Sequence, residues 1–239
     1  MNISLANPAL TPATVTEVGA LPLFAHLPED VRQRFLEEAS VIGVRADETL
    51  FEAGDRPTHL FVVIRGEVGL TGTDENGDQT LVEIVRPGCA FVEAPVMTDQ
   101  PYLMGARALR DSTLLRLPAA KVRADVARSP EVAVAMVASL SAHFRLMVAE
   151  IKDLKLKTAG QRLALYLLEL AGPAEGGARV LLPHSKSLIA ARIGIRRETL
   201  SRVFNALRKA GVVAKGPSII IADVARLRQF ASNSKSDEI

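Results

Sequence analysis

The 239 residues are 48% hydrophobic and 23% charged, which indicates a soluble globular protein with room for two domains. The net charge is +2, but residues 1–157 carry 16 basic and 21 acidic side chains, whereas residues 158–239 carry 13 and 6. The C-terminal part is therefore the part suited to binding a polyanion, and the single cysteine, Cys89, excludes an internal disulfide and an iron–sulfur cluster with four thiolate ligands.

The N-terminal region shows no targeting pattern. Residues 1–20 are rich in Pro, Ala and Thr without helical or alternating periodicity, which predicts a flexible lead-in. We find neither a signal-peptide pattern nor an apolar run of membrane-spanning length, so we expect a cytoplasmic protein without a membrane partner. The first predicted helix begins after Pro28, with Glu29 and Asp30 in its first turn.

The next part of the chain shows the alternation of apolar and polar residues, with a period of two, that is typical of β-strands. Short apolar runs between residues 41 and 117 are separated by Gly, Asp and Pro, and they predict many short strands that close into a small barrel or roll. Asn76-Gly77 suits a hairpin tip, because both residues tolerate positive φ. We assign residues 21–128 to this sensor domain.

Residues 130–157 carry an apolar stripe with steps of three and four, a heptad pattern typical of helices that pair with each other. We therefore predict a dimerisation helix over residues 129–157. The alternative is that the stripe packs only on the roll of its own chain. The predicted homodimer interface consists of Val137, Leu140, Phe144, Met147, Ile151 and Leu154.

Residues 158–231 predict a winged helix-turn-helix domain, which is followed by a polar tail over residues 232–239. Two apolar stripes at helical spacing flank Gly194, and a hairpin pattern with Lys215 at its tip follows them. From residue 185 to residue 216 there are eight Lys or Arg against one acid, Glu198, which favours contact with DNA over a merely solvated helix.

The opening of the second helix of this pair carries side chains that can recognise bases in the major groove. Arginine pairs with guanine, glutamate accepts from the cytosine amine, and serine bonds either donor or acceptor. The predicted base-reading residues are Arg197, Glu198, Ser201 and Arg202. The predicted phosphate contacts are Lys186, Ser187, Arg196, Thr199 and Lys215.

The predicted order of domains is a roll, a long helix and a winged helix-turn-helix. Over about residues 21–230, this order and several motifs resemble the CRP/FNR family of bacterial transcription regulators. The resemblance implies an α+β fold with a cyclic-nucleotide-binding-like β-roll, and partners that are double-stranded DNA, a second copy of the chain and RNA polymerase. The segments that carry it are Glu52-Ala53-Gly54-Asp55, Val63-Ile64-Arg65-Gly66-Glu67-Val68, Pro87-Gly88-x-x-Phe91 and Arg197-Glu198-Thr199-Leu200-Ser201-Arg202.

The family's cyclic-nucleotide members hold the cyclic phosphate with a Phe-Gly-Glu turn and a Pro-Arg-Ser/Thr-Ala segment. Here the turn reads Phe91-Val92-Glu93, and Tyr102 stands where the phosphate-binding arginine would be, so we expect no cyclic AMP binding. The expected effector pocket is lined by Phe91, Glu93, Tyr102 and His143.

Within the family, the chain is most similar to the dissimilatory nitrate respiration regulator branch, as judged from segments 91–94, 153–157 and 162–168. Members of that branch respond to nitric oxide and are thought to use a haem. The resemblance thus implies a haem cofactor, with an axial ligand among His26, His59, His143 and Cys89. It also implies a TTGA-type half-site from Glu198, Ser201 and Arg202, while Arg197 adds a TGTGA-type alternative.

Other functions remain open at this point. A cyclic-nucleotide-type or ligand-independent regulator would belong to the same family. A nucleotide-binding scaffold without DNA affinity would not account for the basic C-terminal part. An enzyme is disfavoured, because the sequence has no phosphate-cradling glycine loop, no paired metal motif and no Ser or Cys nucleophile signature.

Overall fold

The computed structural model describes residues 12–73 and 79–232, and the chain divides into two compact units, Met1–Arg145 and Leu146–Ile239. The elements of the first unit are α1 (Pro12–Gly19), α2 (Glu29–Leu36), β1 (Ser40–Val44), β2 (Thr49–Phe51), β3 (His59–Arg65), β4 (Val68–Thr73), β5 (Gln79–Val85), β6 (Ala90–Phe91), α3 (Glu93–Thr98), β7 (Gly105–Ala108), β8 (Ser112–Pro118), α4 (Ala119–Arg128) and the first part of α5 (Pro130–Leu156). The second unit contains the end of α5, then α6 (Ala159–Ala171), β9 (Ala178–Leu181), α7 (Lys186–Arg192), α8 (Arg197–Leu207), a 3-10 turn (Arg208–Ala210), β10 (Val212–Lys215), β11 (Ser218–Ile221) and α9 (Val224–Ser232).

Two four-stranded antiparallel sheets form the β-roll, in the orders β1-β8-β3-β6 and β2-β7-β4-β5. Apolar residues from both sheets share one core, which includes Phe61, Phe91 and Leu114 from the first sheet and Phe51 and Leu70 from the second. The other face of the first sheet packs on helices, so five consecutive residues of β3 are buried. This roll agrees with the predicted fold class. The predicted hairpin tip at Asn76-Gly77 lies outside the described residues.

The N-terminal region corrects one prediction. Residues 12–19, expected to be part of a flexible lead-in, form the helix α1. Its Val18 is completely buried in the helix-side core, and Glu17 accepts a hydrogen bond from Arg65 of β3 at 2.9 Å. The weak local pattern is overridden because docking on the roll buries the helix's apolar side, an interaction that local periodicity does not reveal.

The prediction that no apolar segment reaches membrane-spanning length was wrong. By length and composition alone, α5 is long and apolar enough to cross a membrane, and it is the one such helix among the described residues. A helix that pairs with an equivalent partner has the same composition, because its seam residues are apolar and exposed in a single chain.

The second unit is a winged helix domain built on the core of α6, α7, α8 and α9. Its three-stranded antiparallel sheet has the order β10-β11-β9, and β10 and β11 form the wing. Helix α6 begins with a capping box, in which the Thr158 hydroxyl and the Gln161 side chain each bind the other's backbone amide.

Candidate DNA-reading surface and effector site

Helices α7 and α8 are joined by a tight turn. Ser185 is the N-cap of α7, and its hydroxyl accepts a hydrogen bond from the Leu188 amide at 3.3 Å. Gly194 in the turn has φ +67°, a conformation that glycine adopts without steric cost. A Cβ at this position would lie 2.6 Å from Leu154 Cδ2, so the turn packs closely against the end of α5.

Arg162 of α6 holds the same turn through main-chain carbonyls. Its Nε donates to the Ile193 carbonyl at 2.8 Å, its Nη2 to the Gly194 carbonyl at 3.5 Å, and its Nη1 to the Lys157 carbonyl at 2.7 Å. Burial lowers the pKa of this guanidinium, and Asp153 acts in the opposite direction. One cation therefore satisfies carbonyls of both the turn and the segment that follows α5.

Helix α8 is amphipathic. Its Leu200, Val203, Phe204 and Leu207 are buried in the domain core. The four predicted base-reading residues are all exposed, and no intramolecular ion pair or hydrogen bond engages their side chains within the part of the chain that the structure describes. They are free to bind another molecule.

The predicted phosphate contacts lie at the start of α7, at the start of α8 and at the tip of the wing. Lys186, Ser187, Arg196 and Lys215 are exposed, and Thr199 is half-buried. Arg196 stands at the N-cap of α8, where it makes no side-chain capping bond. Lys215 ends β10 at the tip of the wing, next to Gly216 with φ +63°. An uncapped helix N-terminus beside cationic side chains is suited to a phosphate group.

The predicted interface residues on α5 present apolar surface. Val137 and Phe144 are more than 60% exposed, while Met147, Ile151 and Leu154 are between 41% and 49% exposed. Leu140 is half-buried and lines a shallow groove with Val137 and Phe144. An exposed patch of this kind on one helix marks an interaction surface.

Inside the roll, aromatic side chains occupy the expected effector pocket. Tyr102 stacks on Phe51 with ring centroids 3.9 Å apart, and Phe61 stacks on Phe91 at 5.4 Å. Phe91 and Tyr102 are almost completely buried, and the Tyr102 hydroxyl donates to the His59 carbonyl at 3.4 Å. Burial raises the pKa of the Tyr102 phenol despite hydrogen bonds with the backbone, so its hydroxyl stays neutral.

The turn between Phe91 and Glu93 contains a strained residue. Val92 has φ +62°, in the left-handed region that a β-branched residue rarely adopts. The backbone thus keeps a conformation suited to glycine although the side chain is valine.

Glu93 and His143 lie in one polar cluster where α5 meets the roll. Glu93 is 1% exposed and accepts a hydrogen bond from Ser139 at 2.8 Å, while His143 lies 2.8 Å from Glu83 and 3.6 Å from Glu93. Hydrogen bonds with Glu83 and then Glu93 raise the pKa of His143 to about 10, although burial acts against them. Burial acts to raise the pKa of Glu93, but hydrogen bonds, that of His143 foremost, leave it below its usual value.

The four candidate haem ligands differ in how well they fit that role. His143 is protonated on both ring nitrogens at neutral pH, so it has no lone pair for iron. His26 and Cys89 are exposed. His59 is half-buried with Nδ1 3.0 Å from the Thr58 hydroxyl, and burial followed by Arg116 lowers its pKa, which leaves a neutral imidazole. Only His59 combines partial burial with an available nitrogen.

Two family models match the chain. The cyclic nucleotide-binding domain matches residues 41–129, and the Crp-like helix-turn-helix domain matches residues 161–230. The cyclic AMP receptor protein of Thermus thermophilus is 31% identical over 183 residues, which cover 76% of this chain and 83% of that protein. The chain belongs to the CRP/FNR family of transcription regulators.

Further relatives agree with this assignment. The transcriptional activator protein FnrA of Stutzerimonas stutzeri is 27% identical and covers 80% of each chain. A solved structure from Ruegeria pomeroyi DSS-3, of a protein named for cyclic nucleotide binding, has a TM-score of 0.63 and 32% identity, and covers 93% of this chain and 98% of that one. The two curated relatives belong to a family of transcription regulators and not of enzymes, as the sequence predicted.

Within the family fold, the sequence patterns did not single out three features of these sites. The contact of Arg162 with the Ile193 carbonyl and the Glu83–His143 pair join residues 31 and 60 positions apart. The strain at Val92 could have been found, because the resemblance places valine where the family's turn has glycine. The sequence shows the replacement of glycine by Val92, but the positive φ of Val92 is visible only in the structure.

Proposed function

We propose that the protein is a homodimeric regulator that binds an inverted-repeat DNA site by placing α8 in the major groove. The observation that carries this proposal is the exposed, unpartnered face of Arg197, Glu198, Ser201 and Arg202 on the second helix of a helix-turn-helix. The surrounding free cations supply phosphate contacts, which position the helix without reading sequence. A protein acting on DNA alongside RNA polymerase belongs in the cytoplasm.

The two-fold symmetry of a dimer sets the form of the site. Two copies joined along the apolar stripe of α5 present two α8 helices, so the half-sites are inverted and about one helical turn apart. Glu198 and Arg202 are four residues apart on one face of α8, and with Ser201 they favour a TTGA-type half-site. Arg197 is exposed beside them, which leaves a TGTGA-type half-site as the alternative.

The proposal is tested by fluorescence anisotropy of the full chain with labelled DNA. We expect tight binding to an inverted repeat of TTGA half-sites, and weaker, strongly salt-dependent binding to random DNA. A duplex whose half-sites are moved apart by about half a helical turn is the matched control, since the dimer can then reach only one of them at a time. Equal affinity for all three duplexes would contradict the proposal.

Cyclic AMP is not the effector in this account. The phenol of Tyr102 is neutral and stacked on Phe51, and the nearest cation to Glu93, His143, is already shared by two carboxylates. Neither Tyr102 nor His143 therefore offers a free positive charge to an anionic phosphate. Isothermal calorimetry with cyclic AMP should show no saturable binding, and micromolar binding would overturn this view.

Haem-based sensing of nitric oxide is a second candidate, favoured only by the neutral imidazole of His59 near the aromatic cluster. When bound, a haem supplies the iron that binds the gas. His59 would hold it, and the adjacent rings would keep water away. Titration with haem should then give an absorption shift that His59→Ala abolishes and His26→Ala keeps. If the unmodified protein gave no absorption shift, haem would be ruled out as the cofactor. The proposal that the protein binds DNA would not be affected.

A further inference from the structure

One polar cluster joins α5 to the roll, and we call it the His143 cluster: Glu83, Glu93, Ser139 and His143. Beside it, Val132 and Met136 of α5 are buried in the helix-side core. Glu83 belongs to β5 and Glu93 begins α3, so one imidazole of α5 contacts two separate parts of the roll.

The charges in this cluster define the position of α5. The imidazolium lies 2.8 Å from one carboxylate and 3.6 Å from the other, and Glu93 is 1% exposed. A carboxylate buried this deeply is costly unless it is paired and hydrogen-bonded. Moving α5 by one helical turn would separate the imidazolium from both acids and leave Glu93 without its cation.

We propose that His143 is a built-in counter-ion that clamps α5 to the roll, so that the DNA-binding form is held without an anionic effector. The idea rests on the proposed function, because it treats α5 as the dimer helix. Two carboxylates and one imidazolium leave the cluster with a negative balance, which repels an anionic ligand. His143 thus pairs with Glu93 from within the chain, without any ligand.

The direct test removes the imidazole and supplies it again. In the full chain, His143→Ala should make the amides of residues 136–147 exchange hydrogen about tenfold faster or more, measured by mass spectrometry. His143 is 21% exposed, so free imidazole can reach the vacated position, and adding it at neutral pH should slow the exchange again. Sodium chloride at equal ionic strength should not. The matched control is His26→Ala, which removes an exposed histidine elsewhere.

Should His143→Ala fail to fold, His143→Gln keeps a hydrogen-bonding side chain without the charge, and its exchange should also be faster. Unchanged exchange in a folded His143 variant, or faster exchange in His143→Ala that imidazole does not slow, would overturn the clamp.

Binding to inverted-repeat DNA separates this inference from the proposed function. We expect tight binding by the unmodified protein with no small molecule added, about tenfold weaker binding by His143→Ala, and recovery with imidazole. A requirement for an added anionic effector would overturn the inference. If no form binds DNA although the exchange results are as expected, the proposed function fails and the clamp of α5 stands.

Discussion

Val92 occupies a backbone conformation in which glycine would be unstrained, and this makes it a sharp test of the roll's local geometry. Strain of this kind costs about 1–3 kcal/mol, and glycine loses about 0.5–1 kcal/mol through its freer unfolded state. We therefore expect Val92→Gly to raise the free energy of unfolding by about 1 kcal/mol in urea denaturation. The control Val92→Ala keeps the positive φ and should gain less. A less stable Val92→Gly protein would mean that the side chain's packing outweighs the strain.

His143 gives the roll a predicted pH dependence. Its pKa is raised from 6.5 to about 10, so its pairing stabilises the folded state fully below pH 6.5. That contribution declines as the pH rises from 6.5 and is lost above about 10. The difference in thermal midpoint between the unmodified protein and His143→Gln should thus shrink between pH 7 and pH 10. Because both proteins contain the same other titrating groups, the contributions of those groups cancel in the difference. A difference that stays constant over this pH range would contradict the pairing of His143 with the two carboxylates.

At the scale of elements, the turn between α7 and α8 depends on Arg162. Arg162→Met would leave the Ile193, Gly194 and Lys157 carbonyls without this donor; the bonds to Ile193 and Lys157 are partly buried, and a hydrogen bond from a charged group contributes about 1.5–3 kcal/mol. We expect a loss of about 2 kcal/mol or more in the stability of the second unit, measured by hydrogen exchange. Arg179→Met, on an exposed position of β9, is the matched control and should change little. Equal effects of both substitutions would show that the carbonyl contacts contribute nothing.

The apolar stripe of α5 gives a prediction about assembly. Phe144 is 67% exposed in the single chain, so Phe144→Glu should leave the protomer folded, yet it would bury an unpaired charge in a paired helix. Analytical ultracentrifugation should show a dimer for the unmodified protein and a monomer for Phe144→Glu. Ala149→Glu places the same charge on an exposed position off the seam and should remain dimeric. A dimeric Phe144→Glu would refute the interface.

Elements with a strong period or clear boundary signals were predictable from sequence. The heptad steps gave α5, the two stripes around Gly194 gave α7 and α8, and alternating runs gave most strands of the roll. Helix α1 was missed because its stability comes from burying Val18 on the roll. The short elements β6 and α3 were not predicted, since two to six residues carry too little periodicity for recognition.

The residues of the candidate sites also divide into those that a local sequence pattern identifies and those that depend on tertiary contacts. Base-reading candidates could be named because they belong to one helix and one motif. The interaction of His143 with Glu83 could not, since it joins residues 60 positions apart and depends on how α5 packs on the roll.

For the whole molecule, charge and symmetry act together. The acidic balance of residues 1–157 would repel DNA from the roll, while the basic balance of residues 158–239 would attract the phosphate backbone. In the proposed dimer, that attraction would double and binding would be sensitive to half-site spacing, although each α8 would read only a few bases. We propose that α8 reads the DNA sequence and that the wing contacts only phosphate.

The most direct test compares Arg202→Ala with Lys215→Ala, each titrated against inverted-repeat and random DNA at several salt concentrations. We predict that Arg202→Ala costs about 1–3 kcal/mol per half-site on the inverted repeat only and relaxes one G·C position. Lys215→Ala should weaken binding to both DNAs alike and reduce the salt slope by about one for each wing that contacts the backbone. Equal losses on both DNAs for Arg202→Ala would contradict the account, because α8 would then contact the backbone without reading bases.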